Sequence, residues 1–166
     1  QNWCIAQGEG GNIWSANSEI IEFNGKEWTG YKTLNRTSAR SLYYDKKCNR
    51  MYFGATNEFG YMHINENDLM EYVSLTDSIK IVSGEIWAIH KQDDTFWLRE
   101  NNSIYSFDSK EVKQYCFNNK IAFSSIIDNS LTIFVNNIGA MRMGPGNEFR
   151  KIEGTEILDK MHVCSI

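Results

Sequence analysis

No uninterrupted apolar run in this sequence approaches the ~18 residues of a helical membrane span, so this stretch carries no such anchor. Blocks of basic residues are missing too. Seventeen Lys and Arg against 21 Asp and Glu give a net charge of -4, which lacks the electrostatic footprint of a duplex-binding surface. No nucleic acid is expected as a partner. There is no initiator Met, no basic-then-apolar leader and no polar tail. The expectation is a segment cut at both ends, or one whose leader has been removed.

Cysteine is sparse and widely spaced. Cys4, Cys48, Cys116 and Cys164 lie 44, 68 and 48 residues apart, with no C-x-x-C and no His at metal spacing. Four isolated, mostly buried thiols are the first expectation, and a single disulfide in an oxidising compartment is the alternative. His63, His90 and His162 are separated by 27 and 72 residues, which excludes a zinc pattern. Gly8-Glu9-Gly10-Gly11 lacks the Lys and the helix of a phosphate loop and reads as a turn. Residues 65–68 (NEND) lack the Gly and distal Glu of an EF-hand. No G-x-S-x-G is present, and Asp93-Asp94 are neighbours whose side chains diverge. No cofactor and no metal are expected. The N-x-S/T strings at Asn35 and Asn101 carry weight only in a eukaryotic secreted protein.

What the chain has in quantity is aromatic surface: five Trp, eight Tyr and nine Phe, with a single Pro. That composition favours strands. Apolar–aromatic pairs recur at Ile13-Trp14, Tyr52-Phe53, Phe96-Trp97 and Ile133-Phe134, separated by 39, 44 and 37 residues. Around each, strand-like runs with a period of two alternate with polar turns. The predicted strands are 3–6, 13–16, 20–23 and 27–31; then 40–44, 50–55, 60–64 and 70–75. They continue with 86–90, 95–99, 104–107 and 112–115, and then 123–127, 131–135, 138–143 and 149–152. A tight Asn24-Gly25 hairpin turn is expected between the third and fourth. The stretch 66–72 is a connection rather than a helix, and 161–166 is the opening strand of a fifth unit.

Four short strands every ~40 residues are the arithmetic of a β-propeller blade. The predicted fold is all-β, with four four-stranded antiparallel blades plus one strand, from a larger propeller of about seven blades. The blades run approximately 1–34, 35–78, 79–118 and 119–154, with 155–166 starting the next. An ordinary β-sandwich with accidental self-similarity is the alternative.

Specific strings add to the repeat. NWCIAQ (2–7), IEFNGKEW (21–28), ARSLYYD (39–45) and YFGATNEFGYM (52–62) occur in this order, with looser matches at EIWAI (85–89) and SIYSFD (103–108). Together they resemble the N-terminal sensor propeller of bacterial membrane-bound regulators that carry two-component-regulator propeller repeats and a triple-tyrosine domain. The resemblance implies a periplasmic position and a parent receptor that self-associates and meets the membrane only through downstream parts. It also implies an output by a histidine kinase or helix-turn-helix module, none of which lies in this chain. Ligands in such sensors are commonly glycans or their breakdown products, so a carbohydrate is the expected class of ligand.

In a propeller the loops build the site. Second-to-third strand loops and inter-blade loops are expected on one face. The ligand-binding candidates are Arg40, Asn57, Glu58, Trp14, Asn101 and Asn136, with amides for sugar hydroxyls and Trp14, Trp87 or Trp97 as apolar platforms. Turn chemistry is the weightier explanation of the Asn residues, and inter-blade packing is that of the aromatics. An Arg40–Glu58 pair is expected to close its blade. The function predicted is a non-catalytic ligand-sensing segment of a signal-transduction or transcription regulator. The alternatives are a propeller lyase or glycosidase, which needs an acid and a base converging from groups such as Glu58, Arg40 and His90, or a pure protein-interaction propeller.

Overall fold

Alternating apolar and polar residues, punctuated by Asn and Asp turns, generate a run of short strands in which each pairs with the next. The computed structural model describes residues 2–79, 84–108 and 110–160. Among them are four four-stranded antiparallel sheets, each with its strands in chain order. The first contains β1 (Cys4–Gln7), β2 (Ile13–Ala16), β3 (Ile20–Phe23) and β4 (Trp28–Tyr31); the second contains β5 (Ala39–Asp45), β6 (Arg50–Ala55), β7 (Glu58–Ile64) and β8 (Met70–Ser74). The third is β9 (Ala88–Gln92), β10 (Thr95–Arg99), β11 (Ser103–Phe107) and β12 (Val112–Cys116); the fourth is β13 (Ile121–Ile127), β14 (Ser130–Val135), β15 (Gly139–Met143) and β16 (Phe149–Lys151). This is the propeller-blade meander, and the sixteen predicted strands all appear. The predicted strand at 161–166 lies outside the described residues.

Two compact units divide the chain, Gln1–Ile89 and His90–Ile166. In the first, Trp14, Ala16 and Ile20 pack with Ala39, Leu42, Met51, Phe53 and Met62. In the second, Trp97 and Ile104 pack with Ile121, Leu131, Ile133 and Val135. Each core thus joins successive sheets, and the second strands β2, β6 and β14 are the most buried of their sheets, while in the third sheet β10 and β11 share the burial. The fourth strands are mostly exposed or half-buried.

Turn chemistry departs from expectation at Asn24. Only Gly25 has positive φ there (91°). Asn24 instead accepts the Lys26 and Glu27 N–H groups on its side-chain oxygen, both at 3.0 Å, within a four-residue turn. An Asx-turn replaces the two-residue hairpin because the side chain takes over the bonding the tighter turn would leave to backbone. Connection 65–69 uses the same device: Asn65 Oδ1 receives the Asn67 and Leu69 N–H groups. Among the described residues the one α-helical turn is Thr76–Ile79, between the second and third sheets. Cys4, Cys48 and Cys116 are free thiols, and the last two are exposed rather than buried. Cys48 sits in the β5–β6 turn and Cys116 ends an outer strand, where the packing gradient leaves both open to solvent.

Candidate functional site

The approach to the third sheet is fastened to a corner of the second. The Asn57 N–H donates to Gly84 O at 2.7 Å, and the Gly84 N–H donates to Asn57 Oδ1 at 2.6 Å. The Ile86 N–H reaches Ala55 O, and Ser41 Oγ donates to Ile86 O at 2.7 Å. Asn57 can serve this corner because it tolerates the left-handed backbone (φ 55°) that the turn requires. The docked segment lies so close that a Cβ on Gly54 would sit 2.5 Å from Ile86 Cβ and 2.6 Å from Ser41 Oγ.

This docking aims Glu85 and Trp87 at Arg40. The guanidinium meets the Glu85 carboxylate through Nη2 at 2.6 Å and Nε at 2.8 Å, and it lies 4.3 Å from the Trp3 ring centre and 5.2 Å from that of Trp87. The two indoles stand edge to face, 5.6 Å apart at 76°. Arg40 departs from strand alternation because the β5–β6 register shifts between Ala39 and Ser41, and such a bulge re-aims a side chain. The cation is therefore held by one carboxylate and by two aromatic faces, each worth ~0.5–2 kcal/mol depending on desolvation. Trp3 remains 40% exposed, and Trp87 Nε1 has no hydrogen-bond partner within the protein. Trp3, Arg40 and Trp87 all lie at the start of, or just before, a first strand of a repeat. That places them at the end of the unit where the second-to-third strand and inter-blade loops meet.

Glu58 does not pair with Arg40, contrary to the sequence expectation. Its side chain, 1% exposed, accepts the Leu34 and Asn35 N–H groups at 2.9 and 3.1 Å and the Tyr72 hydroxyl. Backbone donors on the inter-blade loop reach Glu58 first, and Glu85, carried in by the Asn57–Gly84 clasp, takes Arg40. Burial, and then the hydrogen bond to Glu58, push the Tyr72 phenol well above its usual range, keeping it a donor. With these partners Glu58 is an anchor for loop backbone, and Arg40 and Glu58 do not converge as an acid–base pair.

The remaining candidates fall elsewhere. Trp14 is buried on β2, its ring 5.8 Å from Tyr31 and nearly parallel to it, so its faces are spent on packing. Asn101 lies in the β10–β11 turn with its side-chain oxygen buried and unpartnered within the protein, and its carbonyl accepts the Ile121 N–H at 2.6 Å. Asn136 donates its backbone N–H to Lys120 O. In both cases a second-to-third strand turn touches an inter-blade loop, as the repeat implied.

Beside Asn101, burial raises the Glu100 carboxyl to about 7. His90, whose Nε2 lies 2.8 Å from Ser124 Oγ, is lowered to about 4 by burial and then by the Arg99 charge. Sequence reasoning missed Trp3 and Glu85. A repeat alignment would have shown that Trp3 and Trp87 occupy corresponding places, each just before a first strand.

No family model matches the chain, and no curated protein matches it. Solved structures do. The extracellular domain of BT4673 from B. thetaiotaomicron, described in one structure as a one-component and in another as a hybrid two-component system, superposes with TM-scores of 0.69 and 0.65. Identity is 20% in both, over 93% and 90% of this chain and 22% and 21% of those chains. The extracellular domain of BT3049, described as a hybrid two-component system of the same organism, gives 0.61 at 14% identity over 90% of this chain and 22% of that one. The chain thus shares the propeller fold of these extracellular regulator domains and spans about a fifth of their length.

Proposed function

We propose that this chain is the ligand-sensing segment of an extracytoplasmic propeller in a signal-transduction or transcription regulator, non-catalytic in itself. The single observation that carries this is the Arg40 guanidinium held between Trp3 and Trp87 at the loop end of the first unit. The shared fold of regulator extracellular domains supports it. The ligand class is a glycan or a fragment of one. A pyranose ring stacks its C–H face on an indole, and Trp3 is 40% exposed. The Arg40–Glu85 pair beside it offers donors and acceptors to hydroxyls. Asn57 belongs to this site as the clasp that holds Glu85 in place.

Signalling requires a ligand with different affinity for two arrangements of the receptor, since equal binding to both shifts nothing. The larger propeller of about seven blades, the self-associating parent, the periplasmic position and the output module all belong to this proposal. No helix among the described residues is long and apolar enough to cross a membrane, and a downstream anchor would supply the crossing.

The ligand class is tested by calorimetry with maltotetraose, xylotetraose and a uronate-bearing tetrasaccharide. The expected result is binding to at least one, weakened about tenfold by Trp3→Ala and by Arg40→Lys. Silence across the panel, or affinity indifferent to both substitutions, overturns the glycan assignment. The sensing role is tested on the reading frame beyond Ile166, where a membrane helix followed by a kinase or DNA-binding module is expected. A stop codon shortly after would overturn it.

A further inference from the structure

The first unit has a concave groove at the end opposite Trp3 and Arg40. A groove of about 290 Å³ opens where the β1–β2 loop, the β5–β6 turn and the β7–β8 hairpin come together. That volume is at the lower limit of ligand cavities, ~300 Å³, and it restricts an occupant to about one ring. Met51, Met62 and Met70 line it together with the edge of Trp14, a soft, polarisable surface. The shape depends on Gly8, since a Cβ there would sit 2.8 Å from Trp14 Nε1.

Two carboxylates face this groove, and neutral donors hold both. Glu22 accepts Asn12 Nδ2 at 2.7 Å on one oxygen and the Tyr31 hydroxyl at 3.0 Å on the other. Burial, and then Glu22 itself, push the Tyr31 phenol up to about 12, so it stays a donor. Glu9 accepts Asn49 Nδ2, and Asn49 is fixed in turn by the Tyr44 hydroxyl at 2.9 Å. No Lys or Arg lines the groove. Its one other titratable side chain with a cationic form, His63, lies 3.6 Å from Glu71. Amide and phenol donors fix the geometry of a carboxylate without neutralising it. The two carboxylates thus line a methionine-floored groove that has no Lys or Arg in its wall.

We infer that this groove is a binding site for a small organic ammonium ion with a compact, single-ring body. The ammonium would lie between Glu9 and Glu22, and the body on the methionines and the Trp14 edge. A thioether-lined floor suits the hydrocarbon body of an organic cation, with the carboxylates taking the ammonium, better than it suits a strongly hydrated metal ion. The site is separate from the Trp3–Arg40 cluster, so the two can be tested independently.

Cyclohexylammonium chloride and cyclohexanol have the same ring and differ in charge. Calorimetric titration of the whole chain is expected to give saturable one-to-one binding of the ammonium. Affinity for the alcohol should be lower by at least about tenfold, and binding of the ammonium should weaken as salt is raised. The Glu9→Gln/Glu22→Gln chain should lose about tenfold in affinity, whereas Trp3→Ala should leave it unchanged. If the double variant fails to fold by near-ultraviolet dichroism, Glu9→Gln alone, on the exposed loop, is expected to weaken binding measurably. Equal binding of alcohol and ammonium, no binding of either, or affinity indifferent to both variants overturns the assignment.

Discussion

Glu58 binds the backbone of Leu34 and Asn35 across 24 and 23 residues of sequence, carboxylate oxygen to amide N–H at 2.9 and 3.1 Å. The loop that leaves the first sheet is therefore held by a side chain at the start of the third strand of the second. The sheets are linked through this polar clasp as well as by the apolar core around Phe53 and Trp14.

Replacing Glu58 with Ala should remove the acceptors for two amides and a phenol together. The expected loss is ~1–3 kcal/mol, because the half-buried Tyr72 hydroxyl loses its acceptor and the exposed loop loses the charged acceptor that holds it. Glu58→Gln keeps one acceptor oxygen and sets an NH2 against a donor, so an intermediate loss is expected. Urea unfolding of both variants and the parent checks the order, and a Glu58→Ala chain as stable as the parent contradicts the clasp.

Gly54 admits no side chain. With Ile86 and Ser41 at 2.5–2.6 Å from a would-be Cβ, Gly54→Ala must push the docked segment away or break the Ser41–Ile86 bond. A destabilisation of ~1–3 kcal/mol is expected from overpacking. Because the segment carries Glu85, the Arg40 pair should loosen as well, which tryptophan emission would register.

Arg40→Lys tests geometry rather than charge. Lysine keeps the positive charge but loses the planar fork that meets Glu85 with two nitrogens and stacks on both indoles. A loss of ~1–2 kcal/mol is expected from the weakened stacking and cation–π contacts, together with a change in Trp3 and Trp87 fluorescence. An unchanged emission spectrum would mean that the indoles do not depend on the guanidinium for their placement.

Two groups in the second unit, the half-buried His90 and the buried Glu100, pull stability in opposite directions with pH. His90 titrates at about 4 when folded against an ordinary 6.5. The unfolded chain therefore holds more protons between those values, and this contribution is lost as pH falls through them. Glu100 titrates at about 7 against an ordinary 4.5. Here the folded chain holds more protons, so its contribution is lost as pH rises through that window. The two slopes offset each other where the windows overlap. Glu100→Gln should expose a stability that increases with pH from about 4 to 6.5. His90→Gln should expose one that decreases from about 4.5 to 7. Thermal melts across that range check both, and parallel profiles for parent and variants would refute the opposing assignment.

The strands were legible because alternation and turn residues repeat four times. Ile13–Ala16, Ile20–Phe23, Arg50–Ala55 and Thr95–Arg99 match the predicted limits. Boundaries drifted where long-range bonds decide them. Residues 86 and 87 were expected in β9, but Ile86 is held to Ala55 instead, and the strand starts at Ala88. The site was half legible: Arg40 and the clasp residue Asn57 stood out, whereas Trp3 and Glu85 did not. Arg40 takes its direction from a register shift that period-two reading cannot see, and Glu85 arrives through a clasp closed by residues 27 positions apart. Glu58 looked like a partner for Arg40 because sequence proximity of opposite charges says nothing about which amides compete for the carboxylate.

The edge-to-face meeting of Trp3 and Trp87 gives this arrangement an optical signature. Two indole transition dipoles this close and steeply inclined couple, and coupled dipoles rotate polarised light as a pair rather than singly. One chromophore comes from the first repeat and the other from the threshold of the third. The far-ultraviolet dichroism of the chain should therefore contain an exciton couplet that vanishes when either indole is removed. Assembly of the first unit can then be followed without a label, through light absorbed by the residues that complete it.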